Sequence, residues 1–157
     1  MRIIETRLSD SVDTEIEGAG GSREDGRTRR DIAPGRARVL VVDDSEIFQR
    51  VAASVISETQ GLRLVGVAAS GEEAIRVLPG LKPDLVLLDL HMPGLGGLET
   101  APVIRRESPG TVIVLVSADP ASVAVDLPSI GAQAFLSKVE LSPERLDELW
   151  RTRVTRA

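Results

Sequence analysis

Several residue types are scarce in this sequence, and each absence narrows what the protein can do. Cysteine and tyrosine are absent, and one Trp and two Phe are the only aromatic residues among 157. Without cysteine there is no disulfide framework and no thiol nucleophile. No apolar run approaches the roughly 20 residues of a membrane-spanning helix, and residues 1–7 lack the apolar core of a signal peptide. We therefore expect a cytoplasmic protein.

Charge and length set further limits. The formal net charge of -5 argues against direct binding to nucleic acid or to an anionic membrane. With 42% hydrophobic residues, 157 residues suffice for one well-buried domain but not for two of ordinary size.

Lysine is also rare, since only Lys82 and Lys138 are lysines among 19 basic residues. An ammonium and a guanidinium are not interchangeable at a tight phosphate contact, so a lysine at a strand end is a candidate for function.

Residues 1–37 differ in texture from the rest of the chain. They are rich in Gly, Ser, Arg and acidic residues and show no sustained apolar period, which predicts a disordered tail. The arginines of residues 23–30 could form a phosphate-binding arm, but acidic residues balance them, so a solvated polyampholyte is favoured. A start codon assigned too far upstream is the remaining interpretation of this segment.

From residue 38 onward, short apolar runs alternate with helical patterns. Runs of this kind are typical of strands buried on both faces, as in parallel sheets. The five predicted strands are residues 39–42, 62–68, 85–88, 112–116 and 134–136. Ser45 and Ser70 are placed to cap the first two helices. The pattern predicts one doubly wound α/β domain with helices on both faces of a five-stranded parallel sheet.

Polar residues follow four of these strands, namely Asp43, Asp44, Asp89, Ser117 and Lys138. The carboxyl ends of parallel strands meet at one edge, so we expect these side chains to converge there. Three carboxylates close together must protonate or recruit a cation, and Mg²⁺ suits such a site. The lysine and the serine hydroxyl opposite could hold a phosphoryl group. Asp89 could instead only cap the following loop.

Four motifs resemble the receiver domain of two-component response regulators. They read VVDDS at residues 41–45, DLVLLDLHMPG at 84–94, SA at 117–118 and GAQAFLSK at 131–138. The resemblance covers residues 38 to about 155 and implies a receiver domain over residues 38–157. It also implies a flavodoxin-like sheet with the strand order 2-1-3-4-5.

The resemblance implies that Asp89 is the phosphoacceptor. A histidine kinase or a histidine phosphotransfer protein would supply the phosphoryl group. Asp43, Asp44 and Asp89 would bind Mg²⁺ (or Mn²⁺), and His91 would add its backbone carbonyl. Charge neutralisation and alignment of donor and acceptor would provide most of the catalysis.

The resemblance also implies a set of switch residues. Lys138 would pair with a phosphoryl oxygen, and Ser117 would move inward to hydrogen-bond another. The space that Ser117 leaves would let Phe135 turn inward and change the surface of the fourth helix, fifth strand and fifth helix. Ala118 fits the small residue needed beside the phosphoryl entrance.

This sequence departs from the family pattern at several positions. Val139 follows Lys138 where the family usually has proline, and Phe135 lacks the hydroxyl of the commoner tyrosine. Pro102 and Pro128 interrupt helices that are usually continuous. The second of these is the fourth helix, for which Asp119 is the candidate N-cap and Pro120 the candidate first residue. These departures bear on the conformational output more than on phosphorylation.

The favoured function is therefore a stand-alone phosphoacceptor that signals to a downstream protein and is not an enzyme toward other substrates. It could also form a homodimer through the fourth helix, fifth strand and fifth helix. One alternative is a module with the same fold that binds proteins without phosphorylation. Another is an aspartyl-phosphate hydrolase of the haloacid dehalogenase type, disfavoured because His91 stands where that family has a second Asp. A DNA-binding regulator cut off before its effector domain is a further alternative.

Overall fold

The computed structural model describes residues 2–3, 35–119, 121 and 126–156, with side chains described from residue 35 to residue 153. The elements are β1 (Arg2–Ile3), β2 (Ala37–Val42), α1 (Glu46–Ser57), β3 (Leu62–Ala68), α2 (Gly71–Leu81), β4 (Leu85–Asp89), α3 (Gly97–Glu107), β5 (Val112–Ser117), α4 (Leu127–Ile130), β6 (Ala134–Ser137), a 3-10 turn (Lys138–Glu140) and α5 (Pro143–Arg156). Within these described ranges, no helix is long and apolar enough to cross a membrane.

The sheet confirms the predicted topology. Its strands lie in the order β1-β3-β2-β4-β5-β6, and every pairing among β2 to β6 is parallel. Numbered from β2, these five strands have the order 2-1-3-4-5. Every residue of β4, the central strand, is buried. A strand covered on both faces has no solvent side, which explains why its sequence is a continuous apolar run.

Two apolar layers hold the helices against the sheet. Successive strand residues point to opposite faces, so Leu40 and Val42 join one layer while Val39 and Val41 join the other. The first layer includes buried residues of α2 and α3, and the second includes buried residues of α1 and α5. The prediction of helices on both faces is thus confirmed.

The predicted N-caps of the first two helices are present. Ser45 Oγ accepts a hydrogen bond from the Phe48 backbone N–H at 3.2 Å, and Ser70 Oγ accepts one from the Glu73 backbone N–H at 3.1 Å.

Proline has less effect on the helices than the sequence suggests. The sequence pattern ends α2 at Leu78, but the helix continues through Pro79 to Leu81 because buried Leu81 packs on the core.

Pro102 likewise lies inside α3 without shifting its start from Gly97. Proline removes one backbone donor from each of these two helices. The packing of their buried faces maintains both helices despite this loss.

The fourth helix differs most from expectation. We predicted a helix that opens at Pro120 with Pro128 near its end, but Pro120 and residues 122–125 lie outside the described residues. The described helix α4 has only four residues, and Pro128 stands in its first turn. Gly131 ends α4 with a φ of 88°, a left-handed conformation that glycine adopts without strain.

The strand β1 comes from the segment for which disorder was predicted. Arg2 is in antiparallel register with Val67, and Ile3 with Gly66, at the edge of β3. Residues 4–34 of that segment lie outside the described residues, so the disordered tail stays a prediction for them. The sheet therefore has a sixth, two-residue strand that was not expected.

Candidate functional site

Three carboxylates meet at the carboxyl edge of the sheet. Asp43 directly follows β2, and Asp89 ends the neighbouring strand β4, with Val42 in register with Leu88. One carboxylate oxygen from each of Asp43, Asp44 and Asp89 lies within 4.8 Å of the others. Asp43 and Asp89 are buried, at 1% and 5% exposure, whereas Asp44 is exposed. The predicted convergence of these three residues is present in the structure.

The Asp43 side chain is held from two sides. Its Oδ1 accepts a hydrogen bond from the Ser45 backbone N–H at 2.8 Å. Its Oδ2 lies 2.8 Å from Lys138 Nζ, in an ion pair rather than an aligned hydrogen bond. The turn that starts α1 therefore fixes the Asp43 carboxylate, because the Ser45 that donates to it also caps the helix.

Lys138 brings the only ammonium described within this acidic site. Its Nζ lies 3.7 Å from Asp89 Oδ1 and 4.6 Å from the centroid of the Phe48 ring. The side chain is mostly buried, and its aliphatic part lets the charge reach the carboxylates from the end of β6. Val139, which stands in place of the usual proline, is 87% exposed. The ammonium reaches the site with valine at that position.

The electrostatics of the site leave negative charge uncompensated. Burial of the Asp89 carboxyl raises its pKa to about 6, and the nearby charge of Asp43 adds to this rise. Lys138 and a hydrogen bond from the His91 backbone N–H act in the opposite direction without cancelling it. The donors are all hard oxygen ligands with an open, exposed side at Asp44, a set that fits Mg²⁺ or Mn²⁺.

Ser117 ends β5, the strand beside Asp89, and Ala118 follows it; the described hydrogen bonds of Ser117 Oγ do not reach the carboxylates. Ser117 is fully buried, and its hydroxyl donates to the Asp119 carbonyl at 3.2 Å and accepts from the Asp119 N–H at 3.1 Å. Ala118 is exposed. Asp119 Oδ1 accepts a hydrogen bond from the Ala121 N–H at 3.1 Å, but the N-cap position of the described helix α4 is Asp126. A helix capped by Asp119 stays a prediction, because Pro120 and residues 122–125 lie outside the described residues. In this conformation the Ser117 hydroxyl makes its described hydrogen bonds with the Asp119 backbone and not with Asp89.

Phe135 and His91 occupy different environments near the site. The Phe135 ring is half-buried and packs against the apolar layer under α2 and α3. The His91 side chain is exposed, and the described contact between His91 and the site is its backbone N–H to Asp89. The predicted role of the His91 carbonyl as a metal ligand stays a prediction.

Two supporting residues were not anticipated. Gln49 is buried in α1, and its Nε2 donates to the Asp43 carbonyl at 2.6 Å. A Cβ on Gly97 would lie 2.7 Å from the Asp89 carbonyl oxygen, so only glycine lets α3 begin this close to the site. Two features of the sequence could have identified them. Gln49 is a polar residue on the apolar face of a helix, and Gly97 belongs to a glycine-rich stretch at residues 94–97.

Comparison with known proteins agrees with this architecture. The family model for the response regulator receiver domain matches residues 39–151. The response regulator GacA of Pseudomonas viridiflava is 42% identical over 80 residues, which are 51% of this chain and 37% of GacA. A protein-glutamate methylesterase/protein-glutamine glutaminase of Trichodesmium erythraeum is 36% identical over 104 residues, or 64% of this chain and 30% of the relative.

Solved structures give the same result over a longer span. The signal receiver domain of the putative response regulator NarL from Mycobacterium tuberculosis superposes with a TM-score of 0.68 at 29% identity. The match covers 78% of this chain and 98% of that domain. By contrast, the chain spans about a third of the length of the two curated relatives.

Proposed function

Because this chain belongs to the family of response regulator receiver domains, we propose that its Asp89 accepts a phosphoryl group from a histidine kinase or a histidine phosphotransfer protein. The observation that carries this proposal is the burial of the Asp89 carboxylate beside Asp43 and Lys138 at the carboxyl edge of the sheet. A receiver domain is a signalling domain, so the proposed output is contact with a downstream protein in the cytoplasm. The enzymatic activity in the name of one relative is not proposed for this chain.

Asp43, Asp44 and Asp89 would hold a Mg²⁺ or Mn²⁺ ion, with the His91 carbonyl as a further proposed ligand. When bound, such an ion supplies charge neutralisation and alignment of the incoming phosphoryl group. The Ser45 N–H fixes Asp43 in the required orientation. Glycine at position 97 leaves room for the end of β4, because a Cβ there would lie 2.7 Å from the Asp89 carbonyl oxygen.

The proposed transfer uses an Asp89 oxygen as the nucleophile. This oxygen attacks phosphorus, the bond from phosphorus to the donor nitrogen breaks, and its electron pair returns to the donor imidazole. The Lys138 ammonium, 3.7 Å from Asp89, would pair with an oxygen of the new aspartyl phosphate. Because Lys138 Nζ already lies this close to Asp89, only a small movement from its 2.8 Å ion pair with Asp43 would be needed.

The proposed switch begins at Ser117. Its hydroxyl would leave the Asp119 backbone and donate to a phosphoryl oxygen, with the small Ala118 leaving the entrance open. Phe135, half-buried in this structure, would turn further inward. The surface formed by α4, β6 and α5 would then change and bind a partner protein or a second copy of the chain.

The decisive experiment is intact-protein mass after incubation with acetyl phosphate, with and without Mg²⁺. We expect a Mg²⁺-dependent phosphoryl adduct in the wild type and in Asp126→Asn, a control at an exposed aspartate that makes no capping hydrogen bond. Asp89→Asn should show no adduct. An adduct that persists in Asp89→Asn would contradict the proposal. So would a folded wild type that acetyl phosphate does not label in the presence of Mg²⁺, and this result would favour a module that binds proteins without phosphorylation.

A further inference from the structure

Ser137, the last residue of β6, is a buried hydroxyl without a partner. Its side chain is 5% exposed, and its Oγ makes no hydrogen bond with any residue that the structure describes. A buried hydroxyl left unsatisfied destabilises a fold, and alanine would fit the same strand position without that cost. The stability of the described conformation therefore does not account for a serine here.

The sheet places Ser137 directly beside Ser117. The two residues are register partners on the parallel strands β5 and β6. Side chains alternate along a strand, so Ser137 shares a face with Phe135, and Ser117 shares a face with Leu115. Leu115 and Phe135 both pack in the layer under α2 and α3. Both hydroxyls thus lie on the same face, on strands that run about 5 Å apart.

The Ser117 hydroxyl needs a new hydrogen-bond donor if it leaves the Asp119 backbone. Ser117 Oγ now both donates to Asp119 and accepts from it. If its single hydrogen turns to a phosphoryl oxygen, its lone pairs lose the Asp119 N–H donor. Ser137 is a neighbouring donor that has no other hydrogen bond to give up.

We propose that Ser137 is a positioning residue that donates a hydrogen bond to Ser117 Oγ when Ser117 turns from the Asp119 backbone toward a phosphoryl group on Asp89. The two hydroxyls then form a short chain in which each bond strengthens the other. This inference rests on the proposed function of Asp89. It assigns the stabilisation of the switched conformation partly to a residue of β6 that touches neither the metal site nor the phosphoryl group.

The test compares the affinity for beryllofluoride, a mimic of the phosphoryl group, in saturating Mg²⁺. Ser137→Ala should bind the mimic about fivefold more weakly, the size expected for one net hydrogen bond. Ser137→Thr, which keeps the hydroxyl, should bind like the wild type. Without Mg²⁺ and mimic, Ser137→Ala should be as stable as the wild type or slightly more stable, since it removes an unsatisfied group.

A double-mutant cycle separates positioning from a merely structural effect. In a Ser117→Ala background the Ser137→Ala change should have no further effect on affinity, because the proposed acceptor is gone. Equal losses in both backgrounds, or an equal loss in Ser137→Thr, would overturn the inference. If Ser137→Ala binds the mimic with wild-type affinity, the role of Ser137 is overturned but the proposed function of Asp89 is not. If the wild type neither binds the mimic nor forms an adduct, the proposed function and this inference are overturned together.

Discussion

The two ends of the parallel sheet use polar side chains in opposite ways. At the carboxyl end, Asp43 and Asp89 are buried close together with one ammonium, Lys138, between them. The pKa of Asp89 is raised by its burial and by the charge of Asp43, so ionising this carboxyl costs more here than ionising an exposed aspartate. This end holds charge that its own residues do not neutralise.

At the amino end, polar side chains complete the backbone hydrogen bonding where strands begin. Asp84 Oδ2 accepts from the Arg38 N–H at 2.8 Å, and Thr111 Oγ1 donates to the Pro83 carbonyl at 2.9 Å. Gln133 Oε1 accepts from the Ile113 N–H at 2.7 Å. These contacts replace the ladder bonds that a strand lacks at its start.

The difference separates stability from function within one sheet. Saturated polar groups stabilise a fold, whereas unsatisfied buried charge persists only where it serves a purpose or binds a ligand. Substitutions at the amino end should therefore lower the free energy of unfolding and spare the proposed phosphorylation of Asp89. Substitutions at the carboxyl end should do the reverse.

The largest effect on stability is expected at Arg105, which joins α3 to the loop before β6. Its guanidinium donates to the Gly131 carbonyl at 2.9 and 3.1 Å and to Gln133 Oε1 at 2.9 Å. Burial and the nearby Arg153 lower the pKa of Arg105, so its desolvation offsets part of this gain. Arg105→Met should lower the free energy of unfolding by about 2 kcal/mol, as measured by urea denaturation.

Arg106→Met is the matched control for this prediction. Arg106 is the exposed neighbour, with a 3.9 Å ion pair to Glu107, and its loss should cost less than about 0.5 kcal/mol. Both variants should form the aspartyl phosphate at the wild-type rate under conditions where they are folded. If the two variants were equally stable, the hydrogen bonds of Arg105 to Gly131 and Gln133 at the amino end would not stabilise the fold. The contrast between the two ends of the sheet would then lose its support.

The opposite sign is expected for Asp89→Asn in metal-free protein. Replacing a buried carboxylate that is repelled by Asp43 should raise the free energy of unfolding by about 1 kcal/mol at neutral pH, although the weak pairing with Lys138 is lost. Added Mg²⁺ should raise the melting temperature of the wild type and have little effect on Asp89→Asn. A variant less stable than the wild type would show that Lys138 compensates the Asp89 charge after all.

Asp44 permits a cleaner separation of Mg²⁺ binding from folding stability, because its side chain is exposed. Asp44→Asn should leave the free energy of unfolding within about 0.5 kcal/mol of the wild type. Its Mg²⁺ affinity should fall by roughly tenfold or more, because one anionic oxygen ligand is lost. Titration calorimetry with Asp126→Asn as the control measures this, and unchanged affinity would exclude Asp44 as a ligand.

The sequence predicted the strands and the acidic site because both depend on local rules. A four-residue apolar run between turn residues is recognisable as a buried strand, and a charge after it must lie at the sheet edge. The partner of the Ser117 hydroxyl was not predictable, because it depends on a side-chain rotation rather than on strand position. Nor was the continuation of α2 past Pro79, where the burial of Leu81 outweighs a local preference.

Strand β1 was not predictable for another reason, and it gives the smallest expected effect. Two residues have no periodicity, and the pairing of Ile3 with Gly66 joins positions far apart in the chain. Ile3→Pro should speed amide hydrogen exchange at whichever of Gly66 and Val67 has its N–H directed toward β1, and not at the other, whose N–H faces β2. The free energy of unfolding should change by less than about 0.5 kcal/mol, since proline disfavours strand pairing. Ser11→Pro should leave both exchange rates unchanged. If Ile3→Pro also leaves them unchanged, the edge of β3 is unprotected in solution, and the prediction of disorder would extend to residues 2–3.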